Sequence, residues 1–261
     1  VGKDRPAHES LDPCGHFQCF AADCHDPQSP FVCADLALPN LTTTIRYLSI
    51  KKLHIAQRSA KGPAVNVLIV QAQPDAASFS AAVEAAFTKG VETAGHSVKT
   101  INLLNDAFSP CFGQPDLDCY HGKALPPSDV REQQALVDAA DALTLVFPIY
   151  WWSFPAVLKG WIDRVFISGW AFRYEQSKVV GSMRDIPVYL FGVGGGNSEG
   201  YSRHGYYTAF DTQVATGVFK FCGIQRVYTH LMLDVETDED CRVAHLTAVH
   251  DLGRLIAHAT D

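Results

Sequence analysis

Three stretches of the chain concentrate residues able to hold an anion and a flat aromatic ring. The first, Gln71-Ala-Gln-Pro-Asp-Ala-Ala-Ser-Phe-Ser80, runs small and hydroxylated residues straight into a helical repeat. A helix beginning there presents free N–H groups and the positive end of its dipole, both of which favour an anion. Ser78 and Ser80 add hydroxyl donors. The lysine-bearing P-loop pattern is missing, which excludes an NTPase cradle, and so is GxGxxG. The plainer alternative is that Ser78 simply caps the helix.

The second stretch, Phe147-Pro-Ile-Tyr-Trp-Trp-Ser-Phe-Pro155, sets three aromatic residues in succession behind an apolar run. Aromatic faces and backbone N–H groups in that position suit a flat heteroaromatic ring. A packing cluster or dimer contact is the alternative. The third, Gly192-Val-Gly-Gly-Gly-Asn-Ser-Glu-Gly200 followed by Tyr201, fails GxGxxG because Asn197 and Glu199 interrupt it. Its glycines permit close backbone approach to a ligand edge, unless the loop is merely flexible.

The elements that would position these loops follow in regular alternation. Val65–Val70 is a short apolar, β-branched run, as a strand buried on both faces requires. Phe79, Ala82, Val83, Ala86, Phe87 and Val91 recur at helical spacing, with Gly90 and Gly95 near the exit. The cycle then repeats: strand 96–104, helix 130–139, strand 141–147, helix 155–167 with proline in its first turn, strand 186–193, helix 208–222, strand 226–233 and a final helix over 239–258. Strands alternating with helices in this way predict an α/β fold with a doubly wound parallel sheet. Ligands of such sheets lie beyond the carboxyl ends of the strands. The three stretches are the loops after strands one, three and four.

Composition narrows the reading further. The chain has 261 residues, 47% hydrophobic and 19% charged, with a formal net charge of -7. That balance argues against nucleic-acid binding, which needs clustered Lys and Arg. No apolar run is long enough for a membrane span. Of the eight cysteines, four precede residue 34 and the others stand apart at 111, 119, 222 and 241. They read as reduced thiols of a cytoplasmic protein rather than a disulfide framework. Cys14, Cys19, Cys24 and Cys33, with His16 and His25, have the wrong spacing for a zinc knuckle, so no metal is expected. Residues 36–74 lack any acidic residue while carrying Arg46, Lys51, Lys52, Arg58 and Lys61, in the manner of a transit peptide or upstream sequence. The expected division is an N-terminal extension at 1–63, poorly ordered or non-native with an optional helix near 41–57, and one domain at 64–261.

The block Phe147-Pro-x-x-Trp151-x-x-x-Pro155-Ala-x-Leu158-Lys-Gly-Trp161-Ile-Asp163-Arg164-Val-Phe166, then Trp170-Ala171-Phe172-x-Tyr174, with Gly194-Gly195 and Phe221-Cys222-Gly223, resembles the flavodoxin-like NAD(P)H:quinone oxidoreductases, the family that includes mammalian DT-diaphorase and bacterial relatives. The resemblance covers 64–261 and implies strand order 2-1-3-4-5. It also implies a bound flavin (FAD by closer likeness to the mammalian members, with FMN open) and NAD(P)H as co-substrate. Phe79, Ser80 and Ala82 would then line the flavin diphosphate site. Pro148, Ile149, Tyr150, Trp151 and Trp152 would border the isoalloxazine, with Gly194 and Gly195 on its other edge. Tyr201 matches a family tyrosine that stabilises the reduced flavin. Phe172 and Tyr174, with Trp152, would face the substrate, the first two across a homodimer with shared pockets.

Two departures stand out. Gln73 replaces the histidine usual in the first loop, although its amide can still donate to a phosphate. The family histidine six residues after the tyrosine falls here on Tyr207, leaving Tyr207 or His204 to take its part. Lys159 and Asp163, four apart and off the apolar stripe, read as a solvated ion pair. The activity implied is reduction of a quinone-like acceptor by hydride transfer through flavin N5 in ping-pong order. The alternatives are azo- or nitro-reduction, a flavin-bound regulatory subunit of a membrane transporter, and a one-electron carrier.

Overall fold

The apolar run at 65–70 does form a strand, and the computed structural model, which describes residues 63–106 and 108–256, shows what is built around it. The strands are β1 (Asn66–Gln71), β2 (Ser97–Asn102), β3 (Ala142–Pro148), β4 (Phe172–Glu175), β5 (Lys178–Gly181), β6 (Val188–Val193) and β7 (Val227–Met232). Five of them make a parallel sheet in the order β2-β1-β3-β6-β7. That is the expected 2-1-3-4-5 once the antiparallel hairpin β4–β5 is set aside. The register pairs Gln71 with Val146, Pro148 with Val193, and Val193 with Met232. The loops after β1, β3, β6 and β7 therefore leave from one rim. The extension expected at 1–63 falls, except for Pro63, outside the described residues, and so do its cysteines and the optional helix.

Alternation along each strand divides the core in two, because successive side chains point to opposite faces. Leu68, Val70, Leu143, Leu145, Phe147, Val188 and Leu190 fill one side. Val67, Ile69, Ala142, Val146, Tyr189 and Phe191 fill the other. The first face is covered by α3 (Ser128–Asp138), α4 (Ala156–Val165) and a π-helical segment at Asp211–Lys220, through Val137, Leu158, Trp161, Val165, Val214 and Phe219. The second is covered by α1 (Phe79–Thr93) and α7 (Glu239–Arg254), through Val83, Phe87, Val91 and Val249. Each large apolar side chain so buried contributes about 1.5–3 kcal/mol.

Glycine decides how closely α1 and α7 approach. A Cβ on Gly90 would stand 2.1 Å from the His250 carbonyl oxygen, and one on Gly253 would stand 2.5 Å from that of Phe87. Only backbone against backbone fits there.

Several short elements escaped the periodicity reading. These are α2 (Gln114–Tyr120), the hairpin and α5 (Ser198–His204); α6 (Tyr206–Phe210) opens a helix that was expected. The helix expected at 208–222 starts at Tyr206 and winds as a π-helix from Asp211. The last helix ends at Arg254, short of the expected 258.

Helix α2 is held by a buried ionic knot. Arg164, 5% exposed, donates to Asp116 Oδ1 at 3.0 Å, Ser109 O at 2.8 Å and Asp129 Oδ2 at 2.6 Å. Its guanidinium holds the Asp129 carboxyl below its ordinary pKa. Lys159 and Asp163 pair at 2.6 Å on the exposed side of α4, as expected. Among the described residues no helix is long and apolar enough to cross a membrane.

Candidate active site

The chain enters α1 through Ser78, whose extended backbone and hydroxyl cap the helix by accepting from the Ala81 N–H at 3.3 Å. The same hydroxyl donates to Gln73 Oε1 at 2.9 Å, and Gln73 itself is buried. The residue standing where the histidine was expected thus fixes the cap. Capping and anion binding do not compete here. The first-turn N–H groups of a helix lack intrahelical acceptors; that of Ala81 is taken, and among the described residues no acceptor is found for those of Phe79 and Ser80. Arg242, in the first turn of α7, lies over the Phe79 ring at 5.1 Å from its centroid. It brings a guanidinium, paired with Glu239 at 3.4 Å, beside the positive helix end. Nothing in the local pattern announced Arg242, because the contact joins residues far apart in sequence.

Beyond β3 the chain turns back on itself within Tyr150–Ser153. Tyr150 N–H donates to Ser153 O at 3.2 Å and Ser153 N–H to Tyr150 O at 3.1 Å. The two central residues, Trp151 and Trp152, have φ of 50° and 58°. This backbone ordinarily selects Asn-Gly, and a bulky residue held there carries strain of about 1 kcal/mol or more. Trp151 is 87% exposed. Trp152 stacks on Tyr206, 4.5 Å between centroids and 28° between planes. The turn is anchored by Ile149 N–H on Val193 O, by Phe154 packed against Phe147 and Phe210, and by Ser153 Oγ on Gln213 Oε1 at 2.8 Å.

The loop after β6 meets that turn from the next strand. A Cβ on Gly192 would press on Ile149, and one on Gly194 would stand 2.8 Å from Leu233 and 3.3 Å from the Tyr201 hydroxyl. These glycines admit neighbouring side chains as well as any ligand. Gly194 N–H continues the sheet to Met232 O, and no acceptor for the Gly195 N–H is found among the described residues. Asn197 caps α5 by accepting from Gly200 N–H, while Asp234 takes the Ser198 N–H at 3.1 Å.

Tyr201 is 6% exposed, with the rings of Tyr206 and Tyr207 each 5.5 Å away. Burial, then the neighbouring Tyr206, pushes its phenol pKa up, so the hydroxyl keeps its proton. His204 is exposed and faces Tyr206 instead. Tyr206, absent from the expected set, is the ring that joins Trp152 to Tyr201.

The remaining expected residues sit apart. Phe172 and Tyr174 lie on the β4–β5 hairpin, packed on each other and, through Phe172, on Phe221. Among the described residues no ring contact links them to Trp152, Tyr201 or Tyr206. Open clefts of about 460 and 310 Å³ lie at the hairpin tip (Glu175, Gln176, Lys178, Val180) and beside Asp138, Trp170 and Arg184. Neither includes a residue of the three loops.

A model of the flavodoxin-like fold family matches residues 65–252. The chain belongs to this flavodoxin-like family. An uncharacterized NAD(P)H oxidoreductase of Haemophilus influenzae is 29% identical to the flavodoxin-like chain over 177 residues, 67% of this chain and 87% of that protein. NAD(P)H dehydrogenase (quinone) 1 of Rattus norvegicus is 28% identical over 197 residues, 67% of this chain and 72% of its own length. Among solved structures, an NAD(P)H:quinone oxidoreductase from Methanothermobacter marburgensis matches with a TM-score of 0.69 at 29% identity, over 75% of this chain and 100% of that one. These relatives are named as NAD(P)H and quinone oxidoreductases, the family that the sequence resembles. In the flavodoxin-like frame, the loops after β1, β3 and β6 occupy the rim where such sheets bind ligands.

Proposed function

We propose that residues 64–261 are a flavin-dependent oxidoreductase domain that passes two electrons from NAD(P)H to a quinone-like acceptor, with FAD as the resident flavin. One observation carries this reading: the strained Trp151–Trp152 turn and the Gly194–Tyr207 segment are locked together at the sheet rim through the Trp152–Tyr206–Tyr201 aromatic chain.

The residues present fit a flavin. The α1 end offers the open N–H groups of Phe79 and Ser80 to a phosphate. The Arg242 guanidinium over Phe79 adds charge that suits a diphosphate better than a single phosphate. Gln73 acts through Ser78, and Ala82 follows on the same first turn. The Gly195 N–H, close to Gly194, is an open donor for the ring edge, with Pro148, Ile149 and Tyr150 leading into the turn opposite.

When bound, a flavin supplies hydride carriage, in at N5 from nicotinamide C4 and out to the acceptor, through one pocket used in turn. The protein's part is orientation and charge stabilisation. Trp151 and Trp152 provide stacking surface for a planar acceptor. Tyr201, held neutral by burial, donates its hydroxyl hydrogen where negative charge builds. Tyr207, its ring 5.5 Å from that of Tyr201, or His204, exposed beside Tyr206, would take the part of the family histidine. Phe172 and Tyr174 are assigned to the pocket of a second copy in a homodimer; Tyr174, 68% exposed, has room for such a contact. The free thiols of Cys111, Cys119, Cys222 and Cys241 support a cytoplasmic setting.

The test is direct. Purified protein should show flavin absorbance, release FAD identifiable by mass spectrometry, and oxidise NADPH only when menadione is supplied. A colourless protein without acceptor-dependent NADPH oxidation would end this reading.

A further inference from the structure

The loop after β7 brings a carboxylate to the glycine-rich rim. Glu236 Oε1 lies 2.6 Å from the point where a Cβ on Gly195 would stand, so its charge rests against the backbone of that loop. The side chain is exposed, and no hydrogen bond or ion pair of Glu236 is found among the described residues. The neighbouring acid, Asp234, is engaged instead with the Ser198 N–H. The loop's course is fixed by Asp234 N–H on Gly196 O at 3.2 Å, which keeps Glu236 beside Gly195 rather than adrift in solvent.

An unpaired charge at the mouth of a site acts on every charged ligand that enters, within a screening length of roughly 8–10 Å at ordinary salt. An ionised carboxylate can only accept, so it cannot take over the donor part proposed for Tyr201 and the Gly195 N–H. Glu236 is therefore free to act as a charge filter.

We propose that Glu236 is a specificity-determining residue that turns the rim against anionic aromatic acceptors and toward uncharged or cationic ones. The proposal rests on the quinone-reductase reading above and deepens it by naming the acceptor's charge class.

The experiment compares the parent with Glu236→Gln and Glu236→Lys, using unsubstituted and sulfonated 1,4-naphthoquinone. Binding is read by quenching of tryptophan fluorescence, and turnover by NADPH oxidation. Removing the charge should tighten the sulfonated quinone roughly 3- to 10-fold relative to the neutral one. Lysine should extend that gain, and high salt should erase it. Equal changes for both quinones, or no change with either variant, would overturn the charge filter alone. A parent protein that neither binds nor reduces any quinone would instead remove the functional reading beneath it.

Discussion

The Trp151–Trp152 turn and the Arg164 knot are both built on the segment that runs from β3 into α4, yet they are opposites. In the knot a buried cation makes four hydrogen bonds, to Asp116, Asp129 and the Ser109 carbonyl. In the turn two indoles occupy left-handed backbone, and Trp151 is left in solvent. The knot is what stability requires of a buried charge. The turn is what stability alone would have replaced with Asn-Gly. Satisfied burial marks structure here, whereas unrelieved strain with open donors beside it supports the proposed ligand site.

The largest expected effect lies on the structural side. Arg164→Met strands the Asp116 carboxylate, which is 6% exposed, and should lower unfolding free energy by about 3 kcal/mol. Denaturant midpoints would show it, with cofactor content of the folded fraction unchanged. A mild effect would mean that the knot is dispensable and the contrast misdrawn.

Next, Tyr201→Phe keeps the ring packing and removes only the donor. Turnover should fall by roughly 10- to 100-fold with melting temperature nearly constant. A drop in melting temperature without loss of turnover would move Tyr201 to the structural side.

A half-buried pair elsewhere sharpens the first half of the comparison. His230 Nε2 and His245 Nδ1 are 2.9 Å apart between β7 and α7. Burial, then the neighbouring His245, takes the His230 pKa from 6.5 down to about 4. The folded chain holds this ring neutral where the unfolded chain would bind a proton. Stability is therefore whole above pH 6.5 and is lost as pH falls from there toward about 4. His230→Phe should flatten that slope in melting curves across the same window, and an unchanged slope would assign it to other groups.

The smallest effect has the opposite sign and is the sharpest discriminator. Trp151→Gly relieves a left-handed indole, so the protein should gain about 1 kcal/mol while flavin and quinone bind more weakly. Loss of both stability and binding would make the turn an ordinary packing element.

How much of this was legible beforehand follows from the range of each signal. The β-branched run at Val65–Val70 and the stripe of Leu158, Trp161, Ile162 and Val165 announced their elements because burial imposes a period that local sequence records. The segment 114–120, the hairpin and 198–204 went unread because each is too short to show a period. They are held by long-range contacts such as Asp116 with Arg164.

Sequence by itself determined the alternation of strands and helices, and with it the sheet and the three loops that gather at its rim. A chain of amphipathic segments of these lengths has few other ways to bury its apolar faces. Tertiary structure alone decided that Gln73 bonds to Ser78, that Tyr206 bridges Trp152 and Tyr201, that Arg242 lies over Phe79 and that Glu236 lies against Gly195. Those meetings depend on how α7 and the loop after β7 dock against α1 and β6. Docking is set by close packing among residues far apart in the chain, which no local pattern encodes.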